Sequence, residues 1–320
     1  MHAYISHRTT TLLVAAVVVA SGLAVAAPAA SAAPTAKAKP KATPACGTLF
    51  DDFDYASSSD PALARNGWDV RTGTGGPGPD DGVSWSANNI SFPTVDGHQS
   101  LQLTVKTNGS DSGTSQAEIS QNGNRFFAGT YLARMKFSDT PASGADGDHV
   151  NQAFFSIGPL AYNKDPNYSE LDFAEYLPNG GWGATTHTNS QTSWYTAGYD
   201  PDYQDFQEND ENVSLNGWHD IMATVSGGHV RYYVDGTLVA DHSGKYYPRE
   251  NMTLDFNQWI IDWAAHSGSG TSTWLERADF VYYAQNKALS WTQAKSVVDG
   301  YRATNTSHVD NVATTDNCNP

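Results

Sequence analysis

The chain of 320 residues carries 34 Asp and Glu against 18 Lys and Arg, a formal net charge of −16. Arg8, Lys37, Lys39 and Lys41 are the only charged residues before position 46, so the remainder holds 14 basic and 34 acidic residues, a net of −20. Such a balance argues against nucleic acid, anionic lipid and sulfated polysaccharide as partners. A neutral ligand fits better, and the many Trp, Tyr, Asn, Gly and Gln residues suit a sugar, with ring faces for pyranoses and amides for hydroxyls.

Residues 1–32 read as a secretory signal peptide. His2, His7 and Arg8 precede an apolar run from Thr11 to Ala27, and Ala30-Ser31-Ala32 supplies a small-x-small cleavage site before Ala33. The run is short for a membrane span, so the expected mature protein is secreted, extracellular and free of the membrane. Residues 33–45, made of Pro, Ala, Lys and Thr, form a linker with little to bury. Residues 46–320 follow as one domain with a core over about 50–285 and a helical, polar C-terminal extension over about 286–320. Cys46 and Cys318 are the only cysteines and bracket that domain, which in a secreted chain points to a disulfide pinning its ends.

Strand signals dominate the domain. Leu101–Lys106, Tyr131–Phe137 and Gln152–Ile157 alternate or run apolar between turn clusters. Val230–Val234, Asp235-Gly236 and Thr237–Ala240 read as a hairpin, because Asp-Gly favours the type I′ turn. One helix is predicted, about Thr292 to Ala303, with Val297, Val298 and Tyr301 on one face; a polar tail follows. The whole is all-β: antiparallel strands in two packed sheets, a jelly-roll β-sandwich.

The richest segment is Ser169-Glu170-Leu171-Asp172-Phe173-Ala174-Glu175-Tyr176. Along a strand, residues i and i+2 share a face, so Glu170 and Asp172 point one way and Leu171 and Phe173 the other. Strict alternation sends Glu175 into the core. A one-residue bulge at Phe173-Ala174 returns it to the acidic face, and bulges are common beside active sites. Three acids on one face repel each other, and carboxylate chemistry is a reason to keep them. A solvated edge strand would not need the interleaved core residues.

Other motifs carry less. Gly73-Thr74-Gly75-Gly76-Pro77-Gly78 matches G-x-G-x-x-G, but Pro79-Asp80-Asp81-Gly82 opens no helix, so a flexible loop is expected and not a nucleotide site. Asp146-Gly147-Asp148-His149 lacks zinc-ligand spacing and reads as a solvated loop. Asp51, Asp52 and Asp54 are candidate donors for a structural calcium ion; no cofactor is required and no catalytic metal is expected. There is no G-x-S-x-G elbow. Six N-x-S/T sequons occur, at Asn89, Asn108, Asn167, Asn212, Asn251 and Asn305, with chance occurrence as the default.

The acidic segment resembles the E-x-D-x-x-E signature of glycoside hydrolase family 16, which contains laminarinases, lichenases and agarases. The resemblance spans most of residues 50–285. Phe50-Asp51-Asp52-Phe53 with Gly67-Trp68 resembles the family's opening, Gly129–Lys136 its G-x-Y-x-A-R-x-K strand, Trp218-His219-Asp220 and Tyr233-Val234-Asp235-Gly236 its W-H-x and Y-V-D-G hairpin, Asn257 and Trp259 its N-x-W, and Asp279–Tyr283 its closing strand. It differs at Asp165-Pro166-Asn167-Tyr168, where laminarinases often carry Trp-Pro. The resemblance implies a jelly roll with a concave open cleft, and an endo-acting hydrolase that retains anomeric configuration. It makes Glu170 the nucleophile, Asp172 its helper and Glu175 the acid/base, and puts His187 in the cleft. Trp182, Trp194, Tyr195, Tyr199, Trp259 and Trp263 are candidate sugar-stacking residues, with burial as the competing role. The implied substrate is a β-1,3- or mixed β-1,3/1,4-glucan acted on by a monomer. A β-galactan hydrolase, a transglycosylase and a non-catalytic glucan-binding protein are the alternatives.

Overall fold

The computed structural model describes residues 45–79, 82–199, 202–313 and 318. The expected signal and nearly all of the expected linker lie outside the described residues. Two antiparallel layers face each other. The first runs, in hydrogen-bonded order, Trp68–Val70, Ser115–Phe126, Met252–Asp262, His149–Ile157, Glu170–Leu177, Thr188–Tyr199 and Asp202–Glu211. The second is built from Thr237–Ser243, His229–Val234, Gly217–Ser226, Gly129–Phe137 and Ser272–Gln285. Ser272–Gln285 then pairs with both Thr48–Asp51 and Leu101–Thr107. This is the expected jelly-roll sandwich, with the layers bridged where Ser115–Phe126 also meets Ser84–Trp85 and Leu101–Thr107.

Alternation along the strands decides which side chains meet between the layers. Tyr131, Ala133, Met135 and Phe137 from the second layer join Phe154, Leu171, Phe173, Tyr176 and Phe256 from the first in one buried cluster. Phe173 sits at its centre, 4.8 Å from the rings of both Tyr131 and Phe154. The predicted hairpin forms with Asp235 and Gly236 both at positive φ (50° and 77°), as a type I′ turn demands. Leu132, Met222, Phe280 and Tyr282 face outward and are covered by the helix Trp291–Ala303, through buried Ala294 and Val298. A capping box between Ser290 and Gln293 starts that helix.

Three expectations change. The tail after the helix is not simply polar coil: His308–Asp310 adds a strand beside Thr48–Asp51, and Cys318 bonds Cys46 as expected. Asp148 is not solvated. It is buried, and it accepts from the Trp274 indole at 2.8 Å and faces His266 at 2.6 Å. The Gly73–Gly78 loop is anchored, because Trp85 Nε1 donates to the Gly75 carbonyl at 2.6 Å and Gln116 Nε2 to that of Pro77 at 3.1 Å.

The acids near the N-terminus are already satisfied by protein groups. Asp51 accepts from the Phe53 amide at 2.8 Å, the Trp68 indole at 2.8 Å and the Tyr55 hydroxyl at 2.5 Å. Arg302 bridges Asp52 and Asp279, reaching the latter at 2.9 and 3.0 Å. Asp51 and Asp52 thus accept from N–H and O–H groups of the protein, while Asp54 is exposed. Among the described residues, no group of three or more His, Cys, Asp or Glu is placed to hold a metal, and no helix is long and apolar enough to cross a membrane. Arg302→Leu leaves two part-buried carboxylates facing each other under the helix. It is expected to lower unfolding free energy by on the order of 3 kcal/mol in denaturant titration; a loss within error of zero would show that the bridge is idle.

Candidate active site

The strand Glu170–Leu177 carries the predicted bulge. On one side Asp172 pairs with Phe155 and Ala174 with Phe154, leaving Phe173 without a partner. On the other, Asp172 pairs with Thr192 and Glu175 with Ser190, so two residues oppose one. The extra residue sends Leu171, Phe173, Ala174 and Tyr176 to the core, while Glu170, Asp172 and Glu175 all line one cleft.

Neighbouring strands complete the floor in cross-strand rows. Thr192, Asp172, Phe155, Asp255 and Ser120 form one row. Ser190, Glu175, Ala153, Asn257 and Glu118 form the next. Each acid of the triad has its own donor. The Tyr168 hydroxyl donates to Glu170 Oε2, Trp194 Nε1 to Asp172 Oδ2 at 2.9 Å, and Asn151 Nδ2 to Glu175 Oε1 at 2.8 Å. The buried Tyr168 ring packs with Trp194, and Arg249 donates to the main-chain carbonyls of Tyr168 and Tyr195, tying the loop before the acidic strand to its neighbour.

Burial dominates the electrostatics. It pushes Glu170 up to about 7, against a partial lowering by the Tyr168 hydroxyl. Burial and then the Glu170 charge push Glu175 up to about 8. Asp172 is raised well above its ordinary value by burial, then by the charges of Glu175 and Glu170. The three carboxyls titrate as one interacting set, in which the Glu170 charge favours the proton on Glu175.

Asn257 and Trp259 line the same cleft, with the Asn257 amide 3.3 Å from Glu118. Trp182 lies beyond Trp259, their ring centroids 5.5 Å apart, and the two line a connected hollow with Pro77 and Ile261. Trp182 is 40% exposed and held at a φ of 48°, a conformation that side chains rarely adopt. Trp194 and Trp259 line the cleft but are 4% and 5% exposed, so neither offers a broad stacking face, and the Trp194 indole positions Asp172. His187 lies outside the cleft lining; its Nδ1 sits 2.5 Å from the Pro178 carbonyl and its Nε2 faces Asp139 at 3.9 Å. Tyr199 is 56% exposed and also outside the lining. Tyr195 lies under Arg249, and Trp263 donates to Thr114 at 3.3 Å. Sequence reading missed Tyr168, Asn151, Glu118, Arg71, Pro77 and Asp255, all of them cleft-lining. Alternation in Ser115–Phe126 and Met252–Asp262 marks a polar face, but only the register brings those faces to the triad.

With this geometry in hand, comparison with known proteins establishes the fold. A family model described as the concanavalin A-like lectin/glucanases superfamily matches residues 160–269. The Bacillus licheniformis beta-glucanase superposes with a TM-score of 0.53 at 18% identity, covering 74% of this chain and 97% of its own. A glycoside hydrolase family 16 endo-glucanase from Bacteroides ovatus gives 0.55 at 16% identity, with 72% and 98% covered. A prokaryotic beta-1,3-1,4-glucanase (lichenase) from a mouse hindgut metagenome gives 0.53 at 21% identity, with 74% and 98% covered. No curated protein sequence matches the chain. The fold is therefore the concanavalin A-like lectin/glucanase jelly roll, and family 16 glucanases are among its structural neighbours.

The raised carboxyl values carry a sign that can be tested. Glu175 holds its proton in the fold up to about 8, against 4.5 for the ordinary side chain. The native state thus binds more protons than the unfolded chain across that window, and stability falls as pH rises through it. Glu175→Gln removes the ionisation. It is expected to raise the melting temperature by several degrees above about pH 8 and to leave it nearly unchanged near pH 4. An equal shift at both pH values would mean that charge burial is not the cause.

Proposed function

We propose that this protein is a secreted, retaining endo-β-glycosidase of glycoside hydrolase family 16, acting on a neutral β-1,3- or mixed β-1,3/1,4-glucan. The observation that carries the reading is the bulged strand that turns three desolvated carboxyls onto one cleft floor. The glucanases named above, with the same fold, support the substrate class. The floor supports a neutral ligand: Glu118, Asp255 and the triad all line it, and an anionic sugar would be repelled.

Glu170 is the nucleophile. Burial raises it, against a lowering by the Tyr168 hydroxyl, whereas Glu175 is raised by burial and then by the Glu170 charge. That charge keeps the proton on Glu175, which donates it to the leaving glycosidic oxygen while Glu170 attacks the anomeric carbon. Retention requires the two carboxyls to flank the bond at about 5–5.5 Å. Once Glu170 is esterified its charge is gone, the Glu175 pKa falls, and Glu175 takes a proton from water in the second displacement. Asp172, anchored by Trp194, holds a proton between the two and orients Glu170. A cleft that continues past Trp259 to Trp182 favours attack within a polymer over removal of single end units.

The deciding experiment is reducing-end release from laminarin, barley mixed-linkage glucan, agarose and xyloglucan, with Glu170→Gln as control. Release from a β-glucan that falls at least about a thousandfold in the variant is expected. Binding to one polymer with no release from any would establish a non-catalytic glucan-binding protein instead. A second measurement concerns Tyr168. Removing its hydroxyl takes away the donor that lowers the Glu170 pKa, so in Tyr168→Phe the rising limb of the kcat/KM profile should move to higher pH. An unmoved limb would show that Tyr168 does not tune the nucleophile.

A further inference from the structure

The floor holds two carboxyls that the triad does not use, one half-buried and one buried. Glu118 is committed to Arg71 at 3.0 Å and to Asn257. Asp255 is different. It lies 3% exposed on the strand Met252–Asp262 and lines the cleft. It shares a cross-strand row with Asp172, two strands away through Phe155, which at ordinary sheet spacing is about 10 Å.

Its partners are hydroxyls. Thr253 Oγ1 contacts Asp255 Oδ2 and also lies 3.0 Å from the Ile157 carbonyl oxygen. A hydroxyl has one proton and a carbonyl can only accept. The threonine proton serves either the Asp255 carboxyl or the Ile157 carbonyl; where it goes to Ile157, a proton on Asp255 holds the other contact, and where the Thr253 and Ser120 hydroxyls donate to Asp255 they favour its charged form. The charged groups facing Asp255 from the flanking strands are Glu118 and Glu170, both acidic, while the intervening strand contributes Phe155. Burial foremost, with those two charges adding to it, pushes Asp255 up to about 8.

We propose that Asp255 is a specificity-determining residue that, as a neutral carboxylic acid, accepts a hydroxyl of an uncharged sugar ring bound beside the reacting one. Asp255 lines the cleft, where a carboxyl oxygen can accept from a sugar hydroxyl. An ionised acid would repel the charged Glu170 that the first displacement requires, whereas a neutral one binds sugar at no such cost. The assignment rests on the glycosidase reading for its reacting ring, and its test is kept separate from that reading.

Calorimetric titration of laminari- and mixed-linkage oligosaccharides of increasing length into Glu170→Gln, with and without Asp255→Leu or Asp255→Asn, needs no turnover. Asp255→Leu is expected to weaken the longer oligomers about tenfold and the shortest hardly at all, while Asp255→Asn, an isostere of the neutral acid, stays within about threefold. Unchanged affinity in Asp255→Leu, equal weakening at every length, or a loss in Asp255→Asn as large as in Asp255→Leu would overturn the assignment whatever the activity. An inactive parent protein with Asp255-dependent binding would sink the glycosidase reading and leave the subsite standing. Absence of binding by every oligosaccharide would sink both.

Discussion

The structure turns on one extra residue. Without the bulge at Phe173-Ala174, Glu175 would enter the apolar layer between the sheets, and a carboxylate there would meet Phe154, Tyr131 and Tyr232 in place of a cleft. With it, Phe173 fills the centre of the core and three acids share the opposite face. The two outcomes are coupled: large apolar side chains that hold the strand down also force its acids up. Packing is thus what opposes the repulsion among the carboxyls. Phe173 is clamped by rings from both layers, so the strand cannot twist away to relieve the charge.

This explains how far the site could be read from the chain. The acidic strand and its bulge were legible because they are local: alternation and one misplaced glutamate specify them. The Asp-Gly hairpin and the C-terminal helix were legible for the same reason. Asp255, Glu118 and Asn151 were not, because they reach the triad through register across strands distant in sequence. Trp194 shows the reverse error. An aromatic near the motif suggests stacking, but its indole N–H is committed to Asp172 and its ring to Phe206, which composition alone cannot reveal. Asp51 and Asp52 read as cation donors because a sequence displays charge without its partners. Arg302, 250 residues from Asp52, is the partner.

The same non-locality applies to acidity. Ordinary side-chain values would place all three carboxyls well below neutrality. Burial on the cleft floor raises all three, Glu170 to about 7 and Glu175 to about 8. Depth below the surface is a property of the closed sandwich and not of any segment.

What separates the pair is smaller than what raises it. Glu170 and Glu175 are both desolvated, and each accepts one hydrogen bond, from Tyr168 and Asn151 respectively. Both bonds favour ionisation, so the donors alone do not set the order. The repulsion between two carboxylates is mutual, so charge on one, here Glu170 acting on Glu175, raises the other beyond what burial does. That dependence makes the second acid responsive to the first. Its proton is held more tightly while Glu170 is charged. A cation beside either carboxyl would decouple them. Among the described residues, the cation lining this cleft, Arg71, is held by Glu118 on the far side of the floor.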